Sequence, residues 1–160
     1  MNSNLPKVLQ PLGGSTLISR VVNTAQKISD DITVVVGHQK DILKTYIENH
    51  HPLVNSADQN EQLGTGHAVK TAVHLITPHQ KVLILYGDVP LLSEPTIQKL
   101  ISSGDQCCLL SMILSDPTGY GRVIKNTAGH AIKITEQKDT SEEEQKVNEV
   151  FTGTMLVDGA

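Results

Sequence analysis

The chain has 160 residues, enough for one domain with a real core, and is 38% hydrophobic and 19% charged. Its formal net charge of -4 argues against non-specific binding to nucleic acid or an anionic membrane. An aromatic content of 2% argues against a stacking platform for single strands, and no apolar run is long enough to span a bilayer.

Residues 1–14 contain no apolar core of the signal-peptide kind. Residues 15–29 place Leu17, Ile18, Val21, Val22 and Ala25 at helical spacing, with Ser15 or Thr16 as N-cap. Residues 32–37, "ITVVVG", form a β-branched run closed by glycine and read as a buried strand. A helix over 41–50 and a weak strand over 52–59 follow. Residues 64–76 read as a helix opened by a glycine loop, and 82–86, "VLILY", as a buried strand. A helix from about 94 to 103 carries Pro95 near its first turn. Residues 107–114 are a further buried strand. Strands over 121–126, 131–137 and 149–157 complete the chain, with a polar, helix-like insert at 141–148. The fold class is therefore α/β. βαβ units build a mostly parallel sheet, and the last third is β-rich.

Cys107 and Cys108 are adjacent, and a bridge between neighbours is strained. Both read as reduced apolar strand residues, which fits a reducing cytoplasm. The seven histidines show no metal-ligand spacing; His67 and His74 read as structural or surface residues. No Ser-His-Asp or Cys-His arrangement is apparent.

Chemistry-bearing residues collect in short segments. Asp88, in "LYGDVPLL", stands at the carboxyl end of an apolar strand, where ligands bind in open α/β sheets. It either caps the following turn or holds a hard divalent cation such as Mg2+. In "DQNEQLGTGHA", Gly64 and Gly66 leave backbone N–H groups accessible where a helix begins. Gln59 and Gln62 carry amides that donate and accept, which suits a base such as uracil; the alternative is a polar glycine turn. In "DPTGYGR", glycines flank Tyr120 and either admit a ligand or make a hairpin loop. Lys7, in "LPKVL", follows a proline and either supplies a point charge to a phosphate or is simply solvated.

Taken in this order and at these separations, the motifs resemble a bacterial family. It is the uridylyltransferase domain of bifunctional N-acetylglucosamine-1-phosphate uridyltransferase/glucosamine-1-phosphate acetyltransferase. The similarity runs over nearly the whole chain. It implies a Rossmann-like nucleotidyltransferase that joins UTP to N-acetylglucosamine 1-phosphate, giving UDP-N-acetylglucosamine and pyrophosphate. That product feeds peptidoglycan and lipopolysaccharide synthesis in the bacterial cytoplasm. Carried over by motif, Gln59, Gly64 and Thr65 would hold the uracil and Lys7 would face the phosphates. Asp88 would bind Mg2+, with Tyr86 and Gly87 beside it, and Gly121 and Glu136 would line the sugar side.

The chain departs from the family pattern in three places. A glycine-rich signature, with the strand before it, normally precedes "LPKVL"; here Met1 aligns with the methionine that closes it. The chain is therefore expected to begin inside the motif, through a truncated gene, a split gene or a miscalled start, and to be inactive alone. The first strand, normally between those of residues 32–36 and 82–86, would be missing, leaving unpaired ladder groups and an aggregation-prone chain. The downstream asparagine that is the family's second metal ligand lies beyond Ala160. So does the β-helix acetyltransferase domain, through which the parent would form a homotrimer. Phe151, the only phenylalanine, stands where the family carries an asparagine that contacts the sugar. An aromatic cannot supply an amide's hydrogen bonds, so the choice of sugar phosphate is open, as is a non-catalytic nucleotide-binding role.

Overall fold

The computed structural model describes residues 5–103 and 106–159. The expectation about Met1 concerns residues outside that range. A 3-10 turn (Lys7–Leu9) leads into a minimal antiparallel hairpin, β1 (Pro11–Leu12) and β2 (Ser15–Thr16). Helix α1 (Leu17–Ala25) begins at Thr16, whose side-chain oxygen accepts the Ser19 N–H at 3.2 Å. Its inward residues are Ile18, Val21 and Val22.

β3 (Thr33–Val36) and β4 (Asn55–Asp58) pair in parallel, joined by helix α2 (Lys40–His50). One core cluster sits under this unit. Leu9, Ile18, Val22, Val34, Val36, Leu43 and Ile47 pack together, with Val8, Tyr46 and Val54 against them. Helix α3 (Thr65–Ala72) and a 3-10 turn (Val73–Leu75) lead to β5 (Lys81–Ile84). Helix α4 (Glu94–Ile101) starts at the Ser93 cap, with Pro95 in its first turn as the sequence suggests. β6 (Cys107–Ile113), β7 (Arg122–Lys125) and β8 (Ala131–Thr135) follow. The polar insert becomes α5 (Glu142–Gln145), started by a capping box of Ser141 and Glu144. The last strand is β9 (Glu149–Asp158).

β9 organises the larger sheet. One of its edges pairs with β6 at both ends. The other edge is shared, with β5 on residues 155–158 and β7 at Val150. The change of partner falls at Gly153, whose φ is +86°. β8 closes the sheet beyond β7.

The α/β class holds, but the expected mostly parallel sheet does not. Among the described residues only β3 and β4 pair in parallel; the sheet of β5 to β9 is antiparallel throughout. An apolar β-branched run announces a strand, not the direction of its neighbour, and β9 returns between β5 and β6. Burial differs as well. Val82 to Tyr86 are half-buried, and Cys107, Met112 and Ile113 of β6 are exposed. β3 has no strand partner beyond β4, and β5 none beyond β9, among the described residues. α3 buries none of its side chains. The 64–76 helix expected from sequence is two pieces, because α3 tightens into the 3-10 turn at Val73.

Against α1, the sequence buries polar groups that satisfy one another. Ser19 Oγ lies 2.7 Å from His51 Nε2 and 3.0 Å from the Tyr46 hydroxyl. Burial first, and neighbouring His50 second, push the His51 pKa below its ordinary 6.5. The neutral ring is thus favoured in the folded state. Above pH 6.5 that preference costs nothing; as pH falls below it, the unfolded chain takes up a proton that the folded chain resists. The melting temperature is expected to drop between pH 6.5 and the depressed folded value. His51→Gln is expected to flatten that part of the profile; an unchanged slope in the variant would contradict the assignment.

Candidate functional site

The residues singled out from sequence fall into three local arms. The first is at the mouth of β5. Gly87 is packed so closely that a methyl added to it would lie 2.9 Å from Ile18 Cδ1 and 3.4 Å from Val8 Cγ1. The glycine therefore lets the chain after β5 press onto α1 and onto the turn that carries Lys7. That proximity brings Lys7 Nζ to within 2.5 Å of Asp88 Oδ2. The lysine side chain is 61% exposed and the aspartate side chain 30% exposed, so both remain reachable from solvent.

The second arm stands on the β3–β4 pair. The Gln59 amide donates to the Gly64 carbonyl at 3.1 Å and lies 3.2 Å from His67 Nδ1. Gln59 and Gln62 both lie against Gly37, where a methyl would be 3.3 Å from Gln59 Oε1 and 3.7 Å from Gln62 Cγ. Gly64 adopts φ +96°, and α3 starts at Thr65 with no side-chain cap. The first N–H groups of the helix are left for an outside acceptor. Asp58, next to Gln59, is held by Lys44 and by Lys40 at 3.2 Å. Those bonds, Lys44 first, lower its pKa. His67 belongs to this arm. Sequence reasoning sets it aside because it searches histidines for metal spacing, whereas its partner is an amide.

The third arm gathers around β7. A methyl at Gly121 would lie 3.3 Å from Ile134 Cγ2 and 3.7 Å from Glu136 Oε2, so glycine and carboxylate are neighbours. The Gly121 carbonyl accepts the Phe151 N–H at 2.9 Å. Arg122 and Gln137, which the motif reading passes over, hold this arm in place. Arg122 is 2% exposed. It donates to the Tyr120 carbonyl and, at 2.9 Å, to Gln137 Oε1. The same Gln137 oxygen accepts the Gly119 N–H at 3.0 Å. Arg122 Nε is buried without a partner among the described residues. A buried cation pinned by one loop carbonyl and an amide is a fixture of shape rather than a reacting group.

Tyr86 connects the first arm to the third. Its ring meets Phe151 edge-on, with centroids 6.4 Å apart and planes at 81°. It also covers Gly153, where a methyl would fall 2.5 Å from the ring. The structure thus brings together Lys7 with Asp88, Gln59 with Gly64, and Gly121 with Glu136. Through Tyr86 and Phe151 it joins Gly87 to Gly121. Thr65 opens α3 on the second arm, which stands on the separate two-stranded sheet.

Among the described residues no group of three or more His, Cys, Asp or Glu side chains could hold a metal ion. The Asp88 side chain, 30% exposed, is a reachable carboxylate of the kind Mg2+ takes one or two of, together with waters and substrate phosphates. No helix among the described residues is long and apolar enough to cross a membrane.

Gly153→Ala is expected to destabilise the chain more than Gly129→Ala. Both glycines have φ near +85°, at +86° and +84°, but only Gly153 has a ring where the methyl would go. Left-handed strain alone costs about 1–2 kcal/mol, and overpacking adds about 1–3 kcal/mol. Chemical denaturation of the two variants checks the difference; equal losses would contradict the packing of Tyr86 on Gly153.

Residues 1–122 match the family model described as the MobA-like NTP transferase domain. The chain is 45% identical over 159 residues to "Bifunctional protein GlmU" of Burkholderia orbicola (strain AU 1054). It is 42% identical over 160 residues to the protein of that name from Cellvibrio japonicus (strain Ueda107). Each match covers 98% of this chain and 35% of the relative, so the chain spans about a third of the length of these curated relatives. Among solved structures, HddC from Yersinia pseudotuberculosis has a TM-score of 0.77 at 20% identity, covering 99% of this chain and 70% of that one. Apo-UDP-glucose pyrophosphorylase has a TM-score of 0.71 at 16% identity, covering 97% and 69%. These two likenesses show the fold, a nucleotidyltransferase-like α/β arrangement. With the family model covering most of its length, the chain belongs to the MobA-like NTP transferase family.

Proposed function

We propose that this domain transfers a uridylyl group from UTP to N-acetylglucosamine 1-phosphate, releasing pyrophosphate and forming UDP-N-acetylglucosamine. The product would serve cell-wall and lipopolysaccharide precursor synthesis in the bacterial cytoplasm. The observation that carries the reading is the Lys7–Asp88 pair, held at the mouth of β5 by the packing of Gly87. The relatives named GlmU support it at the level of family.

The chemistry asks little of side-chain acid or base. A sugar phosphate oxygen, already anionic at neutral pH, attacks the α-phosphorus; a P–O bond forms, and the bond to the pyrophosphate breaks. The difficulty is bringing one anion to another. Lys7 supplies a positive charge to the phosphates once it leaves Asp88. Asp88 is the side chain that would hold Mg2+, and the ion would supply positive charge to offset that of the phosphates. Gln59 and the bare amides after Gly64 would take the edge of uracil, with Thr65 beside them. Tyr86 and Gly87 set the position of Asp88. Glu136, beside Gly121, would accept hydrogen bonds from the sugar.

Phe151 favours a second reading within the same chemistry, transfer to a different sugar 1-phosphate, because its backbone is bonded to Gly121 and its side chain offers no amide. A substrate panel separates the two.

Asp88→Ala, made in the protein as its gene encodes it, is expected to lower pyrophosphate release from UTP and N-acetylglucosamine 1-phosphate by about 100-fold or more. The measurement is turnover across a Mg2+ titration. Unchanged turnover and unchanged cation dependence would end the proposal.

A further inference from the structure

We infer that His67 is a positioning residue for the nucleobase: it holds the Gln59 amide in the one orientation that reads a ring N–H, and so admits uracil and turns away cytosine. The inference rests on the nucleotide half of the reading above and adds how the base is chosen. Gln59 follows the last residue of β4, and its side chain lies against Gly37, just past the end of β3. Both positions are at the carboxyl ends of the parallel pair, where ligands gather. The amide nitrogen of Gln59 lies 3.1 Å from the Gly64 carbonyl oxygen and 3.2 Å from His67 Nδ1. A carbonyl can only accept, so the amide turns its nitrogen and not its oxygen toward Gly64. An amide nitrogen can only donate, so Nδ1 is the bare ring nitrogen of His67, and the ring proton sits on the imidazole Nε2.

Both amide hydrogens of Gln59 are therefore used, and the two bonds fix the plane of the group. What remains is Oε1, which no hydrogen bond reaches among the described residues. A methyl at Gly37 would lie 3.3 Å from that oxygen, so the glycine keeps one side of it clear. Uracil presents N3–H, a donor, where cytosine presents a bare nitrogen. A fixed acceptor pairs with the first. Against the second, two lone pairs meet, and both groups give up water for nothing. α3 buries none of its side chains, so His67 is not there to fill a core. A glutamine that only pinned the Gly64 turn would need one amide hydrogen. The second bond, to His67, is the one that stops Oε1 from swinging away from the base.

The test is calorimetric titration of UTP and of CTP, each with Mg2+, into the protein as its gene encodes it. The wild-type chain is expected to bind UTP about tenfold or more tighter than CTP. His67→Phe keeps a ring and removes the acceptor, and is expected to bring the two affinities within about threefold of each other. His67→Asn places an amide oxygen where Nδ1 stands, and is expected to hold the preference to within about twofold of wild type. A residue that merely supported the fold would weaken both nucleotides alike and leave their ratio unmoved. Thermal melts identify a variant that fails to fold; should phenylalanine do so, His67→Leu removes the acceptor with a residue that suits a helix. An unchanged UTP-to-CTP ratio in the variant without the acceptor would overturn the inference and leave the proposed function standing. So would an equal loss of preference in the asparagine variant, or a wild-type chain that binds the two nucleotides alike. A wild-type chain that prefers CTP, or binds neither, would overturn both.

Discussion

The rest of the structure depends on how β9 divides one edge between two partners. Its residues 155–158 pair with β5, and Val150 pairs with β7, while β6 runs along the opposite edge. At the break the chain needs the left-handed conformation of Gly153. Two loops therefore leave the sheet from nearly one point. One follows β5 and carries Tyr86, Gly87 and Asp88; the other precedes β7 and carries Gly121. Tyr86 fills the space over Gly153, and the Phe151 N–H fastens the second loop. Ligands in open sheets gather where strand order changes, and here the change occurs within a single strand.

The Lys7–Asp88 pair poses a question of magnitude. A bond of 2.5 Å between opposite charges suggests a lock, and a locked carboxylate could not also bind a cation. Exposure decides against the lock. With 61% of the lysine side chain and 30% of the aspartate side chain open to solvent, the pair belongs with surface ion pairs, which contribute about 0.2–1 kcal/mol. Exchanging that pair for lysine–phosphate and carboxylate–metal contacts costs little. The pair keeps the two groups adjacent, so in the proposed reaction a nucleotide would part them without rebuilding the loop.

Much of this was legible in the sequence, for identifiable reasons. α1 is written in its apolar spacing and in a cap at Ser15 or Thr16, of which the structure uses Thr16; α4 is marked by Pro95 in its first turn, and α5 by the polar run at 141–148. The strand content of the last third follows from alternation and β-branching. Strand direction was not legible, because the apolar pattern of β5 is the same whichever way β9 runs. Nor was the half-burial of β5 and β6, which depends on what lies across the sheet. At the site, the glycine-bearing segments, Lys7 and Asp88 could be picked out as separate motifs, but not the meeting of Lys7 with Asp88. The contacts that hold the motif could not. Arg122 with Gln137, and Gln59 with His67, are long-range pairs of ordinary polar residues with no local signature.

At the centre of the proposed reaction, Asp88 would receive a divalent cation only when a nucleoside triphosphate shares it. Manganese, as a paramagnetic stand-in, reports this directly by electron paramagnetic resonance. The account predicts weak Mn2+ binding without UTP, a clear gain when UTP is added, and loss of that gain in Asp88→Asn. A gain of equal size in the variant would contradict it.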